Sequence, residues 1–165
     1  MNAPRYDPER ILKKLLEHGV RFVVIGGVAA ALQGSPMLTA DVDVSYERSA
    51  DNLERLARAL GEMNARLRGI DEDLPFEFDA RALRSGANFT FVTDLGDLDV
   101  IGWPDGISSY DELAREAVPM RIGGREVLVA SIDDLIRMKR AAGRPKDVAG
   151  ALALEEVKRQ LGTKG

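Results

Sequence analysis

The sequence predicts a single α/β (α+β) domain in which a mixed, partly antiparallel sheet is flanked by helices. Three observations carry this. In the first half, short apolar β-branched runs alternate with helix-period patterns. In the second half, two pairs of such runs are joined by glycine turns, the mark of hairpins. No Gly/Ser linker or low-complexity run divides the 165 residues. Residues 1–165 are therefore read as one domain, with a core over about 20–130 and a C-terminal helical segment over about 131–161.

The elements follow in order. Asp7-Pro8 opens a helix as N-cap and first helical residue. Ile11, Leu12, Leu15 and Leu16 form its apolar stripe, and Gly19 closes it after His18, a solvated helix-end residue. Arg21 to Ile25 has the length and composition of a buried strand. Gly26-Gly27 breaks it, and Val28 to Gln33 reads as a short helix ending at Gly34. Asp41 to Tyr46 is a second strand, and Ser49 caps a helix to about Asn64. The acidic stretch from Gly69 to Pro75 is loop-like. Asn88 to Thr93 turns at Leu95-Gly96 into a partner strand, Asp97 to Ile101. A further hairpin joins Val118–Ile122 to Glu126–Val129 through Gly123-Gly124. Ser131 and Asp134 make an acidic variant of the capping box for a helix through Ala141. Pro145 starts a last helix to about Gln160.

Composition narrows the chemistry. Hydrophobic residues make up 45% and charged residues 30% of the chain, ordinary for a soluble globule. The formal net charge of −4 argues against a surface that wraps phosphate backbone. There is no cysteine and one histidine, which excludes disulfides, thiolate nucleophiles and paired-histidine zinc sites. Catalysis is left to carboxylates, hydroxyls, Lys and Arg. The N-terminal residues carry Pro4, Arg5, Asp7 and Glu9 with no apolar h-region, so no signal peptide is expected. No apolar run approaches the ~20 residues of a spanning helix, and the expected location is cytoplasmic, with no membrane partner.

The informative feature is Asp41-Val42-Asp43-Val44. Aspartate is disfavoured in strands, yet two stand in an apolar β-like run. Positions i and i+2 project from the same face roughly 7 Å apart, while Val42 and Val44 face a core. Paired carboxylates repel and raise each other's pKa unless a cation lies between them; Mg²⁺, which takes oxygen ligands, is the natural one. The pattern recurs at Asp97-Leu98-Asp99-Val100. The bland alternative is that these acids are strand ends pointing into water. Val24-Ile25-Gly26-Gly27 adds a strand that empties into two glycines and a helix, where backbone N–H groups approach an anion. Neither G-x-G-x-x-G nor a Walker-type Gly-Lys-Ser/Thr is present.

The segment Val24 to Val44, VIGGVAAALQGSPMLTADVDV, resembles the nucleotidyltransferase superfamily whose catalytic core is like that of DNA polymerase beta. Ser131 to Leu152, SIDDLIRMKRAAGRPKDVAGAL, is similar to the C-terminal helical segment of a small bacterial branch that includes abortive-infection-type toxins. The resemblance implies a nucleotidyltransferase-like fold with C-terminal helices. It also implies Mg²⁺ (or Mn²⁺)-dependent transfer of an NMP from an NTP, ATP among them, to a hydroxyl on RNA, protein or a small molecule. Asp41, Asp43 and a third carboxylate are then the catalytic, metal-holding residues. That third residue is Asp97 or Asp99. Asp99 is preferred, being deeper in its apolar strand, whereas Asp97 follows the Gly96 turn.

By the same resemblance Gly26, Gly27, Thr39, Lys139, Lys146 and Asp147 bind nucleotide, with Arg144 beside them. Lys and Arg supply counter-charge at the triphosphate tail. Trp103 either stacks on a base or is a surface aromatic. Two departures stand out: Met37 occupies a position that is often Arg in this branch, and Gly27 one that is often Ser. The implied partners are an NTP, an acceptor such as tRNA or protein, and a cognate antitoxin. The alternative is a catalytically inactive member of the fold that serves as a nucleotide-binding or toxin–antitoxin partner module.

Overall fold

A computed structural model describes residues 6–69 and 79–163. Residues 1–5 and most of the expected acidic loop, from residue 70 on, lie outside the described residues. The elements run α1 (Pro8–Glu17), β1 (Phe22–Ile25), α2 (Gly26–Leu32), β2 (Asp41–Tyr46), α3 (Ala50–Glu62), β3 (Arg66–Leu67) and α4 (Ala80–Ser85). Then come β4 (Asn88–Thr93), β5 (Gly96–Ile101), α5 (Tyr110–Glu116), β6 (Val118–Ile122), β7 (Arg125–Val129), α6 (Ile132–Ala142) and α7 (Pro145–Thr163).

The expected caps form at α1, where Asp7 accepts from the Arg10 N–H, and at α6, where Ser131 accepts from the Asp134 N–H. At α3 the Ser49 hydroxyl instead donates to Asp51 at 2.7 Å. Arg21 falls outside β1: its N–H donates to the buried Asn52 side chain at 2.7 Å, while its carbonyl accepts from Asn52 at 3.1 Å and from the Glu47 N–H at 3.2 Å. α2 starts two residues earlier than expected. Gly26 adopts φ +67°, a conformation open to glycine, and turns strand directly into helix. His18 is not simply solvated, since its Nε2 lies 2.9 Å from Glu62.

β3, α4 and α5 are unforeseen. Two residues are too few for any period, and α4 and α5, at 6 and 7 residues, fall short of a window in which periodicity shows. The signal for α5 was a capping-box spacing, because Ser109 accepts from the Glu112 N–H.

The strands form one seven-stranded sheet in the order β3-β4-β5-β2-β1-β7-β6. β2 runs parallel to β5 and β1 parallel to β7; the other neighbours are antiparallel. The mixed, partly antiparallel sheet with flanking helices is as the sequence predicts. α1 lies against β2 and β5, with α3 beside it. Their Ile11, Leu12, Leu15, Leu53, Leu56 and Leu60 join Val42, Val44, Leu98 and Val100 in one buried cluster. The alternation of β2 and β5 is thus resolved as expected: every valine and leucine between the aspartates is fully buried, and the aspartates take the other face.

Candidate active site

Strand register assembles the site. The parallel pairing of β2 with β5 sets Asp41 beside Asp97 and Asp43 beside Asp99. The antiparallel pairing of β1 with β2 sets Ile25 beside Asp43, so the chain leaves β1 at Gly26 next to the acids. β7 runs parallel to β1 and ends at the same side, where the Ala130 N–H donates to the Val24 carbonyl at 2.9 Å. α6 therefore starts near the acids too.

Asp41, Asp43 and Asp99 each offer an oxygen, and these atoms all lie within 4.8 Å of one another. Asp97 stands outside that set, its carboxylate 3.5 Å from Arg68 Nη2. Of the two candidates for third carboxylate, the geometry brings in Asp99. Its side chain is 15% exposed against 41% for Asp97.

Three carboxylates at this spacing cannot all hold charge in a partly dry site. Burial, the charges of Asp41 and Asp99, and a hydrogen bond with Asp99 push the Asp43 carboxyl up to about 7, against the pull of Lys139. Burial also raises Asp99, with Arg68 pulling the other way. The donor set is all carboxylate oxygen, the chemistry that suits a hard divalent cation such as Mg²⁺ or Mn²⁺. The residues present fit such an ion.

The two glycines have tight neighbours. A Cβ at Gly26 would overlap the Asp43 carboxylate, and one at Gly27 would lie 2.5 Å from Thr39 Cβ. Their absent side chains let Asp43 and Thr39 close onto the start of α2. Thr39 Oγ1 is 3.2 Å from the Asp41 carbonyl and 3.3 Å from Asp41 Oδ1, so Thr39 joins the cluster.

The remaining expected residues divide. Lys139, on α6, is near enough to lower the Asp43 pKa, and its ammonium lies 4.0 Å from Asp147. Asp147 is buried and held by Arg144 Nε at 2.6 Å. Burial raises its carboxyl, but Arg144 and Lys139 outweigh that and leave it below the usual range. Lys146 is exposed in the first turn of α7, and nothing among the described residues ties it to the cluster. Met37 is exposed beside a fully exposed Leu38. Trp103 is 61% exposed, with the Arg48 guanidinium 4.6 Å from its ring centre.

Sequence reasoning missed two neighbours of the cluster. The Tyr6 hydroxyl donates to the Asp41 carbonyl at 3.3 Å; burial and then Asp41 and Asp43 raise its pKa. Arg68 donates to Asp99 at 2.9 Å. Neither belongs to a motif, and only long-range register brings them in.

The mixed sheet thus sets an Asp-x-Asp strand beside a Gly-Gly helix start, with a third acid from the adjoining parallel strand, an arrangement whose fold matches nucleotidyltransferase-like solved structures. No protein-family model and no curated protein matches the chain by sequence; solved structures do match it. The chain is similar to the lincosamide antibiotic adenylyltransferase LnuA with lincomycin bound, with TM-score 0.62, 11% identity, and coverage of 94% of this chain and 99% of that one. It is similar to ANT(2'')-Ia in complex with adenylyl-2''-tobramycin, with TM-score 0.53, 18% identity and coverage of 90% and 88%. A third is an antigenic nucleotidyltransferase-like protein from Paracoccidioides brasiliensis, with TM-score 0.54, 19% identity and coverage of 92% and 78%. At these identities the likeness establishes the fold. No helix among the described residues is long and apolar enough to cross a membrane.

Proposed function

We propose that this chain is a Mg²⁺- or Mn²⁺-dependent nucleotidyltransferase that moves an NMP from an NTP to the hydroxyl of a small molecule. The observation that carries the reading is the convergence of Asp41, Asp43 and Asp99 within 4.8 Å at the start of α2. Mutually repelling, partly buried carboxylates have a use where a polyanionic, metal-bound substrate is handled.

Asp41, Asp43 and Asp99 hold the cation, which when bound supplies Lewis-acid charge to phosphate oxygens. Gly26 and Gly27 let the phosphates approach the backbone, and Thr39 orients Asp41 through its hydroxyl. Lys139, steadied by Asp147, adds positive charge on the phosphate side. Lys146, exposed in the first turn of α7, is the outlying part of that positive charge. Asp99 accepts the proton of the acceptor hydroxyl as its oxygen attacks the α-phosphorus. The bond from that phosphorus to the β-phosphate oxygen breaks, and pyrophosphate leaves.

A small-molecule acceptor is favoured because the chain aligns over nearly its whole length with LnuA and ANT(2'')-Ia, whose structures hold lincomycin and adenylyl-2''-tobramycin. A reaction that consumes NTP also suits a cytoplasmic protein. The test incubates the protein with each labelled NTP and Mg²⁺ plus hydroxylated small molecules, total RNA or total protein. Label on a small molecule, absent with Asp41→Asn or Asp43→Asn, is the expected result. Label on RNA or protein would redirect the reading to the toxin-type acceptors. Equal transfer by wild type and both variants would remove it.

A further inference from the structure

The second Asp-x-Asp pair has so far contributed one acid, leaving Asp97 unexplained. Asp97 faces Arg68, which follows directly on β3. The Arg68 backbone N–H donates to the Thr90 carbonyl on β4 at 2.9 Å, and Thr90 stands beside Asp99 in the ladder. A single guanidinium nitrogen, Nη2, then meets three acceptors: the Phe91 carbonyl at 3.2 Å, Asp99 Oδ1 at 2.9 Å and Asp97 Oδ2 at 3.5 Å. Its two hydrogens go to Phe91 and Asp99, and Asp97 completes the group as an ion pair. Asp99 is thus gripped by Arg68 on one side, with its carboxylate oxygen within 4.8 Å of those of Asp41 and Asp43 on the other.

We propose that Arg68, tethered by Asp97 and the Phe91 carbonyl, is a positioning residue that aims the Asp99 carboxylate at Asp41 and Asp43. The inference rests on the nucleotidyltransferase reading above and extends it. Arginine suits the task because its planar head stays charged at any working pH. An isolated carboxylate at residue 99 would rotate away from its neighbours' charge. Gripped at one oxygen, it stays turned to the point the three acids share. Partners one layer behind metal ligands typically contribute 10–100-fold to metal affinity or activity.

The test uses the intact protein with Mn²⁺ alone as probe, following free Mn²⁺ by electron paramagnetic resonance. Wild type, R68Q, R68K and D97N are compared, with the thermal midpoint in EDTA as folding control. R68Q is expected to weaken Mn²⁺ binding about 10–100-fold, with R68K intermediate and D97N shifted less in the same direction. Where transfer is measurable, R68Q is expected to lower kcat and leave the KM for NTP within about twofold. Mn²⁺ affinity in R68Q equal to or tighter than wild type overturns the proposal, tighter binding marking Arg68 as a competitor of the cation. Should R68Q fail to fold, D97N decides by the same readout. Wild type that binds Mn²⁺ but transfers from no NTP sinks the functional reading while the Arg68 effect is still read. Wild type that binds no Mn²⁺ sinks both.

Discussion

Gly26 and Asp43 touch across the β1–α2 turn, so that a methyl group at residue 26 would occupy the space of the Asp43 carboxylate. The same residue sits at φ +67°. Gly26→Ala therefore meets two penalties: about 1–3 kcal/mol of backbone strain and a similar overpacking cost. A lower urea midpoint together with lost Mn²⁺ binding is expected. A variant with wild-type stability and metal affinity would show that the contact is not required.

The metal-free protein should lose stability as pH rises through neutrality. Unfolded, the Asp43 carboxyl titrates near its ordinary 3.8; folded, at about 7. Between these values the folded chain holds a proton that the unfolded chain has released. The resulting stabilisation is complete below about pH 4 and is lost as pH rises through about 7. In EDTA, the thermal midpoint of wild type should fall between pH 5 and 8 more steeply than that of Asp43→Asn. Added Mg²⁺ favours the ionised carboxylate, so its stabilising effect should grow with pH in wild type and stay small in the variant. Parallel profiles for the two proteins would contradict this account.

Asn52 offers a prediction away from the acids. Fully buried, it accepts from the Arg21 N–H and donates to the Arg21 and Glu47 carbonyls, the last at 2.6 Å. Asn52→Ala leaves these backbone groups without that partner, at a cost of about 1–3 kcal/mol for a buried unsatisfied group. Chemical denaturation should show the loss, with Mn²⁺ affinity of the folded fraction unchanged.

How much of this could be read beforehand follows from range. Asp41, Asp43, Asp97 and Asp99 announce themselves by alternating with apolar residues, a local pattern that strand geometry alone interprets. Depth in its apolar strand already favours Asp99 over Asp97, and register sets Asp99 beside Asp43; what stays hidden is its contact with Arg68, 31 residues away along the chain and in no motif. The parallel pairing of β2 with β5 is equally hidden, because strand order in a sheet is set by packing between distant segments. Gly26 was legible as a break, but its contact with Asp43 was not. Tyr6 reaches the Asp41 carbonyl next to Asp7, whose N–H donates to the distant Leu95 carbonyl at 2.8 Å, a pairing no local pattern announces.

The carboxylates sit on β2 and β5, interior strands with a hydrogen-bonded neighbour on either side. Amides in such positions exchange with solvent only when the sheet itself comes apart. The acid cluster accordingly has no private route to melting. Heat or denaturant would take the acid cluster and the sheet around it in one step, and a half-open form of this chain would have lost the cluster with it.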